Sequence, residues 1–160
     1  MPFERKVREI MVPLAEVPKV TLTDTVQDAV DILRRNASAG RQSLLVVDED
    51  GEPVGILSAR MLLRALTPEF LVVEKLSLPI FWQGFLSDRC REQAKKGVRE
   101  LMRPLELITV EADAPLTKAV HIMVNQNVGT LPVMEKGRVI GLIQITEVFN
   151  EISTLILSEG

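Results

Sequence analysis

The chain has 160 residues, 46% of them hydrophobic, and a formal net charge of −3. That length and apolar share allow a substantial core that folds without staples, while the acidic balance argues against a general polyanion binder, whose affinity rests on excess Lys and Arg. The single cysteine, Cys90, excludes an internal disulfide, and there is neither a CxxC pair nor a His cluster to hold a metal.

The opening MPFERKVREIM is charged and lacks the apolar core of a signal peptide, and no segment approaches the ~18 apolar residues of a membrane span. A soluble protein of the reducing cytoplasm is expected. Repeat-like sequence begins almost at once, which suggests a free-standing module with no attached catalytic domain. Residues 7–13, VREIMVP, return as residues 98–104, VRELMRP, with five identities in seven positions at a spacing of 91. Val20, Thr21 and Leu22 are echoed by Ile108, Thr109 and Val110, a predicted short strand in each copy.

A helix follows each strand. Val26, Ala29, Val30 and Leu33 share the i, i+3, i+4, i+7 spacing of one buried stripe, and Leu116, Ala119, Val120 and Met123 repeat it. Asp24 or Thr25 suits the first cap; Asp113 or Ala114, with Pro115 in the opening turn, starts the second helix. Polar loops at residues 36–42 and 125–129 lead into the longest repeated stretch, SLLVVDEDGEPVGIL from Ser43 and TLPVMEKGRVIGLI from Thr130.

Each of these stretches reads as a β-hairpin, with Gly51 or Gly137 at a turn position needing φ > 0. Setting Gly51 on Gly137 and Gly55 on Gly141, a spacing of 86, places Leu45, Val47, Val54, Ile56 and Leu57 on Leu131, Val133, Ile140, Leu142 and Ile143. Gly55 and Gly141 fit either a bulge with close packing or direct ligand contact. A last helix is predicted near residues 58–66 and near residues 146–157. The order per copy is strand, helix, strand, strand, helix: a mixed α/β (α+β) fold with one motif in residues 1–66 and a second in residues 98–160.

Residues 67–97 have no counterpart. They carry Phe70, Phe81, Trp82 and Phe85, expected to fold over the core, to bury against a second subunit or to form a partner patch. A helix is predicted over residues 87–96, ended by Gly97. His121 falls where Asp31 stands in the first copy, so it is expected on an exposed face. Cys90 lies among Arg89, Arg91 and Lys95, which favour a thiolate, but has no paired His. With no phosphate-cradling Gly-rich loop, an enzyme is not expected. Nucleic-acid binding through the basic residues 89–103 competes with a solvated linker face, which the acidic total favours.

The doubled β-α-β-β-α pattern, opened each time by V-R-E-[IL]-M-x-P and carrying its strand glycine before the last helix, resembles a tandem cystathionine-β-synthase (CBS) domain pair over residues 7–66 and 98–157. The resemblance implies a Bateman module: two motifs packed through their sheets about a pseudo-twofold axis, clefts that bind adenosyl nucleotides, and pairing into a homodimer. Such a module senses AMP, ADP, ATP or another adenosyl ligand, requires no cofactor and signals to an effector protein that the sequence does not identify.

The family's ligand signature is [ST]-x-x-D at the last helix. The first copy has Ser58 and Met61 there, the second Gln144 and Glu147. By position in the family pattern, Val20 and Thr21, or Ile108 and Thr109, line the clefts, and Leu131 with Pro132 forms the adenine-side wall, with Leu45 and Val46 as counterparts. Arg60, beside the signature, is the most economical phosphate partner, since Arg pairs with phosphate oxygens bidentately. Structural duties compete: Ser58 as an N-cap, Glu147 as a carboxylate near a helix N-terminus and Arg60 as an ordinary surface charge. A ligand-free dimerisation or protein-interaction scaffold is the alternative function.

Overall fold

The repeated VRE segment forms one helical turn and two extended residues: α1 (Val7–Ile10) with β1 (Val12–Pro13) in the first copy, α5 (Val98–Leu101) with β5 (Arg103–Pro104) in the second. The computed structural model describes residues 4–66 and 85–158. These fall into a central unit, Pro18–Arg103, and a terminal unit, Met1–Val17 with Pro104–Gly160. The units therefore cut across the repeats. The first VRE segment belongs with the second hairpin, and the second VRE segment with the first.

The central unit runs β2 (Lys19–Thr21), α2 (Val26–Asn36), β3 (Ser43–Val47), β4 (Pro53–Ser58), α3 (Ala59–Leu66) and α4 (Phe85–Ala94) before α5. Its sheet has the order β2-β3-β4-β5, with β2 parallel and β4 antiparallel to β3. All five residues of β3 are buried, as expected for a strand flanked on both edges. Val20, Leu44, Val46 and Leu57 meet Ala29 and Leu33 of α2 and Val98 of α5 in one core. Thr25, one of the two expected caps, closes a capping box with Asp28. Val30, expected in the buried stripe, is 45% exposed because α2 buries a narrower face.

The terminal unit runs β6 (Val110–Glu111), α6 (Leu116–Gln126), β7 (Thr130–Glu135), β8 (Arg138–Gln144) and α7 (Ile145–Ser158), with sheet order β1-β8-β7-β6. Val7, Val110, Leu116, Ala119, Met123, Leu131, Val133, Ile143 and Val148 form its core. Pro115 is the N-cap of α6 and offers no side-chain cap. Glu4 supplies one from the chain's N-terminal arm: its Oε1 accepts the Thr117 N–H at 2.6 Å and the Thr117 hydroxyl.

Hydrogen bonds fix the equivalence of the copies residue by residue. Val7 N–H donates to Ala114 O, and Val98 N–H to Asp24 O, both at 2.9 Å. Val20 pairs with Val46 and Val110 with Val133, so the counterpart of Val20 is Val110, at a spacing of 90. Ser43 faces Ser58 and Thr130 faces Gln144, which sets β3 and β7 at a spacing of 87 while β4 and β8 keep 86. The first hairpin turn is one residue longer. Leu44, not Leu45, therefore matches Leu131, because a single spacing drawn through the turn glycines carries the wrong register into the strand before them.

Gly51 and Gly137 take φ of +80° and +76°, as the turns require. At Gly55 an added Cβ would sit 2.6 Å from Met102 Sδ and 3.0 Å from the Arg103 carbonyl oxygen; at Gly141 it would collide with the Val12 carbonyl oxygen. Both glycines face a register shift in the partner strand. Their bare backbones admit the edge strand that follows the VRE turn, so packing accounts for them. The expected helix over residues 87–96 is α4, which starts and ends two residues earlier, so Gly97 does not terminate it. Gly97 caps the start of α5 and bridges Thr25. Phe70, Phe81 and Trp82 lie outside the described residues.

Candidate functional site

In the terminal unit the signature positions come together at the junction of β8 and α7. Gln144, the last residue of β8, is 4% exposed and lies opposite Thr130. Its amide and its Nε2 donate to the same Glu147 oxygen, Oε1, at 3.1 and 3.0 Å. Glu147 thereby caps α7 from its first turn, as the carboxylate of a capping box does. Its second oxygen has no hydrogen-bond partner among the described residues, and the side chain is half-buried. Leu131 and Pro132 are buried on β7, in register with Ile143 and Leu142. Ile108 and Thr109 are half-buried and directly precede β6.

The central unit builds the same junction with different chemistry. Ser58 Oγ accepts the Met61 N–H at 3.2 Å, the N-cap expected of it, and Met61 packs against the core. No carboxylate stands where Glu147 stands. Val20, Leu45 and Val46 are buried, whereas Thr21 is exposed and donates both its N–H and its hydroxyl to Asp24 Oδ2, at 3.0 and 2.5 Å. Arg60 is exposed at the second position of α3. Because Val110 is the counterpart of Val20, Ile108 and Thr109 correspond to Pro18 and Lys19. The two strand pairs proposed from the family pattern are thus not equivalent positions.

Patterning by hydrophobicity passes over two charged positions that the structure makes prominent. In the terminal unit Arg8 pairs with Asp113 at 3.2 Å and also with Glu135. In the central unit its counterpart Arg99 lines a cavity of about 240 Å³ with Thr21, Leu22, Thr23 and the turn residues Asp48, Glu49 and Asp50. The available signal is the identity of this arginine in both VRE segments. Among the basic residues 89–103, Arg89 donates to Glu92 and to the Ala65 carbonyl oxygen, at 3.0 and 2.6 Å. Burial lowers the Arg103 pKa from its usual value. His121 is exposed on α6 and Cys90 is exposed on α4.

Two four-stranded sheets, each with a parallel edge strand, a hairpin and its helices, define a duplicated β-α-β-β-α protein. The CBS domain family matches residues 7–68 and 98–154, and the chain belongs to that family as a tandem pair. Solved structures of similar fold include protein MJ1004 from M. jannaschii, 27% identical with a TM-score of 0.61; the match covers 94% of this chain and 60% of that one, so this chain spans under two thirds of that relative. ATU1752, a CBS-domain protein from Agrobacterium tumefaciens, is 18% identical with a TM-score of 0.68, covering 94% of this chain and 97% of that one. CBSX2, a CBS-pair protein from Arabidopsis thaliana, was solved in complex with AMP and is 22% identical with a TM-score of 0.65, again covering 94% and 97%. No curated protein matches the chain. No helix among the described residues is long and apolar enough to cross a membrane.

Proposed function

We propose that the chain is a non-catalytic regulatory module of the cytoplasm that senses an adenosyl nucleotide, AMP, ADP, ATP or a related compound, with no required cofactor. The observation that carries this reading is the Gln144–Glu147 pair. One carboxylate oxygen is fixed by two donors and the other is left to accept a ligand hydroxyl. A charge-assisted hydrogen bond of this kind contributes about 1.5 to 3 kcal/mol, one to two decades in affinity. The AMP complex of the Arabidopsis relative supports the ligand class. Occupancy then changes the module's arrangement only by the difference in affinity between its states, and an effector protein reads the change.

Pairing with a second copy belongs to the same proposal. Ile145, Phe149, Ile152 and Ile156 recur on α7 at spacings of four, three and four, the interval of a helix-pairing seam, with Ile152 on the edge that packs against its own core. Three of them, Ile145, Phe149 and Ile156, are 51%, 64% and 67% exposed. The second reading, a ligand-free scaffold, is favoured by the central unit, where Ser58 is spent on the cap and Met61 on the core. Thermal melting with AMP, ADP, ATP, NAD and S-adenosylmethionine separates the two. A ligand at 100 times its dissociation constant adds about 2.7 kcal/mol, whereas the scaffold melts unchanged with all five.

A further inference from the structure

The two copies treat the VRE arginine differently, and the difference leaves a cavity in one of them. In the terminal unit, the Arg8 side chain is held by Asp113 and Glu135, and its amide donates to the Ala112 carbonyl oxygen at 2.9 Å. The counterparts in the central unit are Thr23 for Asp113, Asp48 for Glu135 and Leu22 for Ala112. Thr23 brings no charge. Asp48 is committed to its own turn, where its Oδ1 accepts the N–H groups of Asp50 and Glu52, each at 2.9 Å. The backbone bond equivalent to Arg8 with Ala112 is not made between Arg99 and Leu22, and among the described residues Arg99 has no ion-pair partner.

The open surface pocket there, of about 240 Å³, is lined by this arginine and by the acidic turn of Asp48, Glu49 and Asp50. A bare anion there meets the repulsion of three carboxylates, and a bare cation satisfies the acidic turn but leaves the guanidinium unpaired; a molecule carrying both charges a few ångströms apart pairs with both. We propose that this cavity binds a small zwitterion of the amino-acid class, with its carboxylate on Arg99 and its ammonium on the acidic turn. The volume lies below the roughly 300 to 1,000 Å³ of sites for drug-sized ligands, which suits a molecule of that size. Arginine's planar fork matches a carboxylate bidentately, which fixes the orientation.

Isothermal titration calorimetry of the full chain with each proteinogenic amino acid, and with acetate and ethylamine as single-charge controls, tests the proposal near neutral pH. At least one amino acid is expected to bind in the millimolar range or tighter, and more tightly than either control. Arg99→Gln is expected to weaken that binding at least about tenfold. Thr23→Asp installs the residue found at position 113 and is expected to remove the binding by pairing with Arg99, while circular dichroism shows an intact fold. If Arg99→Gln fails to fold, Glu49→Gln combined with Asp50→Asn, on the exposed turn, takes its place with the same expected loss. No binding by any amino acid, equal binding of acetate or ethylamine, or unchanged affinity in any folded variant overturns the assignment.

Discussion

Gly141 lies so close to Val12 that a methyl group added to it would collide with the Val12 carbonyl oxygen. At the equivalent Gly55 the nearest atom is the Met102 sulfur, 2.6 Å from the added carbon, with the Arg103 carbonyl oxygen at 3.0 Å. A backbone oxygen can move away only by shifting a paired strand; a thioether can rotate. Gly141→Ala is therefore expected to destabilise the fold by about 2 to 3 kcal/mol and Gly55→Ala by about 1 to 2. Urea denaturation of both variants checks the order, and a larger loss at Gly55 contradicts it.

The first long helix of each copy, α2 and α6, is capped from a different place. Thr25 caps α2 from within, accepting the Asp28 N–H, and Thr25→Ala is expected to cost about 1 kcal/mol. For α6 the cap is Glu4, more than a hundred residues away in sequence, held against Thr117. Glu4→Gln is expected to cost less than Thr25→Ala, because an exposed carboxylate near a helix N-terminus is screened by solvent and salt. Added salt should shrink the Glu4 effect and leave the Thr25 effect nearly unchanged.

Phe149 is 64% exposed on the α7 seam. Phe149→Glu is expected to halve the molar mass measured by light scattering at micromolar concentration while leaving the far-ultraviolet circular dichroism unchanged. Replacing an exposed side chain removes little from the core of its own chain. A wild-type chain that is monomeric throughout the accessible range contradicts the pairing.

Much of this architecture is legible before any coordinates. The strand glycines, the turn glycines and the amphipathic helices recur in order because each answers a local requirement of period, φ or packing. Three features are not local and escaped. The VRE segment of each copy belongs with the other copy's hairpin, and a repeat does not announce which partner completes it. The first hairpin turn is one residue longer, so aligning turn glycines misplaces Leu45 against Leu131 and Val46 against Pro132. Val30 follows the helical period yet stays exposed, because propensity fixes a stripe's direction and the neighbouring strands fix its width. At the candidate site, Gln144 and Glu147 could be named from sequence. That one Glu147 oxygen holds both Gln144 donors while the other lacks a partner among the described residues is a matter of geometry.

The proposed nucleotide sensing is tested most directly by the nucleotide-dependent melting temperature of the wild-type chain and of Glu147→Gln. The amide oxygen of the variant still accepts from Gln144, so the α7 cap survives, but the free carboxylate oxygen is replaced by an NH₂ donor. An adenosyl ligand should raise the wild-type melting temperature, and the variant should need about ten times more of it for the same shift. A wild-type chain that shifts with none of the adenosyl compounds, or a variant that shifts identically, contradicts the assignment of Glu147 to the ligand.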